Sequence, residues 1–403
     1  MKEMTCIVVG GGYAGIHALK AIRKSVQEEQ SGRRLRLVLL DPLPAHLRKV
    51  LLFKPAVGEN EITVPWQRVL PDGTEIIQGA AQHIDGDAKQ LYYKDAEGNG
   101  KQLAYDVLVV AVGSVARRPE AGAGGIALTD PQSSERIGEQ WRRNMKLAAS
   151  GEHSASKQQL MSAAVAGAGV TGIETAAELA YAMKDEAVRH GLNPMDVRVH
   201  LLNTHERLFR EAPAKVGRKL ERLLAECGVT VHHRTQAVRE QDGSLTLTRG
   251  EPMRVGLTVW TMGLVPNPVL RGMNLPLTAQ GSVIVDGSYR VEGRPGVYSI
   301  GDCAHIIDPA SGLTDSMTCK EAIPQAGRLG RILCADLAGR PAPSHRKSTV
   351  PSFTIGLGPS RGLVWTRKWG LDMIITGKLA FRVKSFVWNY ASMLHTGNNK
   401  PIE

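Results

Sequence analysis

Gly10, Gly12 and Gly15 in VVGGGYAGIHALKAI, and Gly167, Gly169 and Gly172 in AVAGAGVTGIETAAELA, share one spacing, Gly-x-Gly-x-x-Gly. Each triplet follows a short run of strand formers, Cys6 to Val9 and Ala163 to Ala166, and runs straight into a helical pattern. In that setting the glycines let the backbone close on a pyrophosphate, whose charge the free N–H groups and dipole of a helix N-terminus receive. A single turn of this kind is common in loops. Two in one chain predict two dinucleotide sites.

Three carboxylates stand where they could serve such sites. Asp41 ends the strand-like run RLRLVLL, roughly 20 to 30 residues past the first glycines, the place from which an acidic side chain reaches an adenosine ribose. Asp302 closes a buried apolar strand in VYSIGDCAH, where a carboxylate needs polar partners; a helix N-cap is the alternative reading. Glu174 lies in the first turn of the second glycine-led helix, where interaction with the helix dipole, worth about 0.3–1 kcal/mol, is the bland account. The five cysteines, Cys6, Cys227, Cys303, Cys319 and Cys334, show no C-x-x-C pair and no metal-ligand spacing, so neither a disulfide framework nor a metal site is expected.

The elements that would hold these residues read as a repeated unit. After the first turn and helix, Arg34 to Leu40 forms a second parallel strand. Between Thr74 and Tyr105, short alternating strands around DGDA and AEGNG suggest an antiparallel meander, and Tyr105 to Ser114 gives a buried strand closing on Gly113. The second unit repeats this logic with a helix from Ile173 to Met183, strands Val197 to Asn203 and VTVHH, and the closing strand LTVWTMGLVPN, which contains Gly263. A short hairpin then leads to the strand ending at Gly301-Asp302, and a helical pattern runs from Thr318 to Leu337. Ala121 to Lys157, with its SGEHSASK, reads as the interdomain linker.

At 403 residues the chain can form two or three domains. Its formal charge of +11 favours anionic partners, whether nucleotides, an acidic membrane surface or nucleic acid, although a merely basic surface would look the same; with two dinucleotide sites expected, no nucleic-acid partner is. Nothing reads as a signal peptide or as a span of about 18 uncharged apolar residues, which points to a cytoplasmic protein.

In order along the chain, the first glycine triplet, YDVLVVAVGS, GAGVTGIETA, WTMGLVPNP and VYSIGDCAH resemble the FAD-dependent pyridine nucleotide oxidoreductases, most closely the type II NADH:quinone oxidoreductases, with the apoptosis-inducing-factor-like reductases as near neighbours. The resemblance covers about Thr5 to Leu337. It implies an α/β fold with two Rossmann-like dinucleotide-binding domains: a discontinuous FAD-binding domain over 1–120 and 270–337, an NAD(P)H-binding domain over 158–269, and a C-terminal amphipathic region over 338–403 for membrane contact or dimerisation. FAD would take Gly10, Gly12 and Gly15 at the pyrophosphate and Asp41 at the ribose, with Asp302 at its ribityl or pyrophosphate part and Ala81, Gly113 and Gly301 completing the site. NADH or NADPH would take Gly167, Gly169 and Gly172, Asn203 and Gly263. Glu174 matches a glutamate near the flavin–nicotinamide contact.

Two departures stand out. Members that favour NADH carry Glu or Asp where this chain has Asn203, followed by His205 and Arg207, so a 2′-phosphate is not repelled and weak discrimination is expected. Type II enzymes carry an Ala-Gln-x-Ala-x-Gln-Gln-like stretch where this chain has Cys319-Lys320-Glu321-Ala322-Ile323-Pro324-Gln325. Lys320, as a proton or hydrogen-bond donor to the reduced acceptor or as the partner of a carboxylate such as Glu321, and Gln325 are the acceptor-site candidates. Disulfide and sulfide reductases need paired cysteines at the flavin, and only Cys319 lies in such a region.

In GKLAFRVKSFVWNYASML, the residues Leu379, Val383, Phe386, Val387, Tyr390 and Leu394 recur at helical spacing beside Lys378, Arg382 and Lys384. Such a helix fits an anionic membrane interface on the cytoplasmic face, or a core or homodimer contact. The leading expectation is an enzyme passing a hydride from NAD(P)H to FAD and then electrons to a quinone. The alternatives are a soluble reductase of an iron–sulfur protein or small oxidant, and a slow, redox-responsive binding protein.

Overall fold

The computed structural model describes residues 3–28, 34–151, 155–348 and 350–394. Strand β1 (Glu3–Val9) pairs in parallel with β2 (Arg34–Asp41), and helix α1 (Tyr13–Glu28) makes the crossover between them. The expected meander is β3 (Glu75–Asp85), β4 (Gln90–Asp95) and β5 (Gly100–Ala104). Because β3 pairs in parallel with β2 and antiparallel with β4, the meander prolongs the sheet. Its Ala81 is buried with Leu40 and Val110, which leaves only its backbone for a ligand. Strand β6 (Val107–Val110) is buried at all its positions, as its unbroken apolar run requires.

The second unit comprises β7 (Ile126–Ala127), α2 (Pro131–Ser150), β8 (Ser162–Ala166), α3 (Val170–Arg189), β9 (Arg198–Leu202), α4 (Ala214–Cys227), β10 (Val229–His232) and β11 (Leu257–Trp260). The chain then returns to the first unit through β12 (Val297–Ser299) and α5 (Cys319–Leu337). The two sheets have orders β12-β6-β1-β2-β3-β4-β5 and β7-β11-β8-β9-β10. In each, the strand before the glycine turn lies between the next strand and a later one, so the chain turns opposite ways at its carboxyl end. That is the switch-point crevice where open α/β sheets take their ligands. Ser114–Ala116 pairs antiparallel with Leu264–Pro266, joining the outgoing and returning chain between the units.

The linker expectation fails. Within Ala121 to Lys157, α2 is a 20-residue helix with a capping box between Asp130 and Ser133 and Pro131 at its start. Ile137, Trp141 and Met145 pack in the second unit's core, and the Trp141 indole donates to Ala56 O at 2.9 Å. Glu152 to Ser154, inside that stretch, lie outside the described residues.

The C-terminal residues form an antiparallel sheet of β13 (Ser352–Gly356), β14 (Gly362–Lys368) and β15 (Leu371–Thr376), followed by α6 (Gly377–Ala391). Ile355, Leu363, Trp365 and Trp388 join the core cluster that holds Ile173 and Ala177 of α3. This region is therefore part of the folded body. No helix among the described residues is long and apolar enough to cross a membrane.

Candidate functional site

The two glycine turns are built alike. Gly10 (φ +101°) and Gly167 (φ +125°) take left-handed backbone, and a β-carbon there would stand 2.5 Å from Ala111 O and 2.1 Å from Thr261 O respectively. At Gly15 and Gly172 it would stand 1.8 Å from the carbonyl oxygen of the first glycine of the same turn. Gly12 and Gly169 differ: a β-carbon would meet nothing within 4 Å, and neither has positive φ. Open space at a helix N-terminus, kept clear by a glycine the backbone does not require, fits a pyrophosphate.

Around the first turn, Asp41 Oδ2 accepts from Gly11 N at 2.6 Å and Oδ1 from Leu43 N at 2.8 Å. Burial raises this carboxyl above its ordinary range, while the two amide bonds oppose the rise. His46, fully buried, donates from Nδ1 to Gly11 O at 2.9 Å, and its Nε2 has no partner among the described residues. Burial pulls this imidazole down to about 4. Its folded value lies below the unfolded one near 6.5, so its contribution is present above that pH and is lost as pH falls through 4. Calorimetric melting should show the protein losing on the order of 3 kcal/mol over this window through His46, a loss that His46→Gln removes. An equal acid dependence in both proteins would refute the assignment.

Asp302 is not an N-cap of α5, which starts 17 residues later at Cys319; it sits in a short 3-10 turn, Gly301–Cys303. Its Oδ2 accepts from Ser114 Oγ at 2.6 Å. Burial raises the carboxyl, with Ser114 and the Lys49 ammonium opposing, and Lys49 itself donates to Ser114 O. Cys319, the first residue of α5, lies within electrostatic range of Asp302, Tyr13 and Lys384. Thr318 makes no side-chain cap there. The start of α5 thus faces the same region as the first glycine turn. Gly113 and Gly263 both have positive φ and open space beside them.

The acceptor-site candidates are held differently from expectation. Gln325 is buried with both ends of its amide occupied: Oε1 accepts from Gly301 N and Nε2 donates to Asp315 Oδ2, each at 2.8 Å. It fixes the Gly301-Asp302 turn through both ends of the amide. Lys320 donates to Val350 O at 3.1 Å and Ser352 Oγ at 2.9 Å, while Glu321 is held by Lys347 at 3.3 Å.

Glu174 is engaged by a residue that reads as surface in the sequence. Its Oε1 accepts from Lys384 Nζ at 2.8 Å and from Gly356 N at 2.7 Å. Lys384 is 7% exposed and also donates to Thr354 O at 2.9 Å, so it faces the protein and not headgroups. Burial raises the Glu174 carboxyl, and Lys384 opposes that rise. One turn along α3, Glu178 takes Lys54 Nζ at 2.8 Å, an ammonium shared with Glu59. Burial pulls Lys54 down, but Glu178 and Glu59 outweigh it and leave it raised. Neither Lys54 nor Lys384 was foreseen as a site residue. From the same helix α6 and its end, Ala391 O meets His17 Nε2 at 3.0 Å, and Asn389 Oδ1 accepts from Arg48 at 2.6 Å. Helix α6 therefore ties the first glycine helix to the second.

In the second unit, Asn203 Oδ1 accepts from His205 N at 3.3 Å, while Nδ2 donates to His205 O and His233 Nδ1. Arg207, expected near a phosphate, spends its guanidinium on the carbonyls of Phe209, Ala212 and Arg210. Among the described residues no cluster could hold a metal ion, and no two cysteines form a disulfide.

Two like glycine-turn cradles at the switch points of two α/β sheets, joined where Ser114–Ala116 pairs with Leu264–Pro266 and bridged by one helix, define a two-dinucleotide flavoprotein oxidoreductase. The chain belongs to the pyridine nucleotide-disulphide oxidoreductase family, whose model matches residues 4–326. It is accordingly an enzyme that uses FAD and NAD(P)H. It is 25% identical over 396 residues to the demethylphylloquinone reductase of a Synechocystis strain, covering 95% of this chain and 91% of that protein. An NADH dehydrogenase-like protein of Bacillus subtilis is 22% identical, with 97% and 99% covered. In fold it superposes on the structure of NDH2 from Plasmodium falciparum in complex with NADH with a TM-score of 0.80, at 15% identity, covering 97% and 96%.

Proposed function

We propose that the chain accepts a hydride from NAD(P)H at the second cradle, holds the electrons on FAD at the first, and delivers them to a quinone at a bilayer surface. When bound, FAD supplies both hydride acceptance and onward electron transfer. The chain's own residues orient and exclude water. The turn at Gly10, Gly12 and Gly15 would hold one pyrophosphate and that at Gly167, Gly169 and Gly172 the other. Asp41 stands at the ribose end of the first site, and Asp302 with Ser114 and Lys49 at its far end. The amide groups at the start of α5 would stabilise negative charge on a reduced ring. The quinone reading draws on the relatives' printed activities, including plant mitochondrial NAD(P)H-ubiquinone oxidoreductases.

One observation supports the surface reading above the rest. Helix α6 packs inward through Ala380, Lys384, Trp388 and Ala391, and exposes Leu379, Phe386 and Tyr390 on its other side. The β14–β15 hairpin before it exposes Trp369, Leu371 and Met373, with Trp369 87% exposed at the tip under Lys368. Lys378 and Arg382, also exposed, supply further positive charge. Apolar prongs with a basic margin suit an interface rich in anionic lipid, each basic residue adding about 1 kcal/mol.

Flotation with anionic liposomes tests this reading. Combining Trp369→Ser, Leu371→Ser and Phe386→Ser should lower vesicle affinity about 100-fold or more, since each apolar side chain contributes roughly 1.5–3 kcal/mol on burial. Reduction of a lipid-soluble quinone should fall with it, while reduction of a water-soluble dye persists. A wild-type protein that ignores vesicles yet reduces a soluble acceptor rapidly would favour the soluble reductase instead.

A further inference from the structure

The polar groups of Asn203 are taken up inside the protein. Asn203 follows β9 as Asp41 ends β2, and both side chains accept from the backbone amide two residues on. Yet the Asn203 amide is buried and donates to two partners inside the protein, so it presents no donor to a ribose substituent. Arg207 is likewise spent on backbone carbonyls.

Two segments are knitted together there. Arg234 N donates to His205 O at 2.9 Å and Thr235 N to Asn203 O at 3.0 Å, so the end of β10 lies against the end of β9. Arg234 holds a left-handed backbone, φ +53°, a conformation that suits glycine or asparagine and is strained for a long side chain. It is exposed, as are Thr204 and His205, and its guanidinium has no carboxylate partner among the described residues. The nearby acids are committed elsewhere: Glu221 faces His233 at 3.3 Å, and Glu206 is held low by its own backbone N–H first and then by Arg210, His205 and Arg207. Arg234 is thus carried by a backbone that lies against His205, two residues past the end of β9, and an exposed guanidinium there has the fork geometry that receives a phosphate.

We propose that Arg234, with Thr204 and His205, receives the 2′-phosphate of NADPH and that Arg234, not Asn203, sets the nucleotide preference. This rests on the second cradle taking NAD(P)H. Calorimetric binding of 2′,5′-ADP and 5′-AMP to the flavin-loaded protein tests it without turnover. The wild type should bind 2′,5′-ADP about tenfold tighter than 5′-AMP. Arg234→Gly, which relieves the strained backbone and keeps the fold, should bring the two within about twofold by weakening 2′,5′-ADP alone, and Arg234→Lys should retain part of the preference. The ratio of KM for NADPH to that for NADH should rise about tenfold in Arg234→Gly. A preference that survives Arg234→Gly, or is absent from the wild type, overturns the proposal. Failure of both ligands to bind, with no response of the flavin to NAD(P)H, overturns the nucleotide reading itself.

Discussion

Gly12→Val is expected to give a folded but colourless protein, and Gly169→Val a yellow one that NAD(P)H no longer reduces. A β-carbon at either position meets no protein atom within 4 Å, and Gly169 has ordinary backbone angles (φ −73°, ψ 178°), so neither substitution should disturb the apo fold. The added methyls would instead fill the space a pyrophosphate needs. An affinity loss of about 100-fold or more, over 2.7 kcal/mol, is expected in each case. Flavin content after purification reads the first, and equilibrium binding of NAD(P)H the second. Gly15→Ala offers the contrast: its β-carbon would stand 1.8 Å from Gly10 O, so that variant should fail to fold. If Gly12→Val keeps its flavin, the first cradle is misassigned.

The second large effect concerns the buried pair beneath α6. Lys384→Met leaves Glu174, 2% exposed, without its cation, and breaking a buried pair by removing one partner costs about 3–5 kcal/mol. Chemical denaturation should show that loss at neutral pH. Burial already holds the Glu174 carboxyl above its ordinary value, and removing Lys384 takes away the charge that opposes the rise. A folded pKa above the unfolded one means stability gained on acidification, so the variant should recover relative to wild type as pH falls towards the unfolded carboxyl value. Adding Glu174→Gln should restore most of the loss at neutral pH. If the single variant is as stable as wild type, the pair does not hold α6 against α3.

The same contact changes what truncation would report. Deleting the chain from Gly377 would remove Lys384, Trp388 and the Arg48–Asn389 bond together with the exposed apolar side. Loss of fold and loss of membrane contact would then coincide, whereas substitutions on the exposed side separate them.

Both glycine turns, the strands feeding them and the meander were readable because each has a strong local cause: a short run of small or β-branched apolar residues, a fixed glycine spacing, turn residues between alternating strands. Helix α2 was missed because its polar sequence and serine-rich flank masked Ile137, Trp141, Met145 and Ala148, an apolar stripe at helical spacing whose start Asp130-Pro131 marks. Helix α6 was recognised, with its large apolar stripe exposed, but of the basic residues beside it Lys384 turns inward. Its sequence offers two stripes, the large one at Leu379, Phe386 and Tyr390 and a narrower one at Ala380, Lys384, Trp388 and Ala391, and the narrower one faces the protein because Glu174 lies there to pair with Lys384. No local rule ranks a stripe containing lysine as the buried one; only the partner helix decides it. Lys54 and Glu178 were invisible for the same reason, being 124 residues apart.

Anaerobic stopped-flow of the purified flavoprotein, with the visible flavin absorption as readout, follows both halves of the proposed electron transfer. NAD(P)H should bleach the flavin within the turnover time, and lipid-soluble quinone in anionic vesicles should then restore the colour at one quinone per flavin. A flavin that NAD(P)H leaves oxidised, or a reduced flavin that quinone in vesicles cannot reoxidise while a soluble acceptor can, would contradict it.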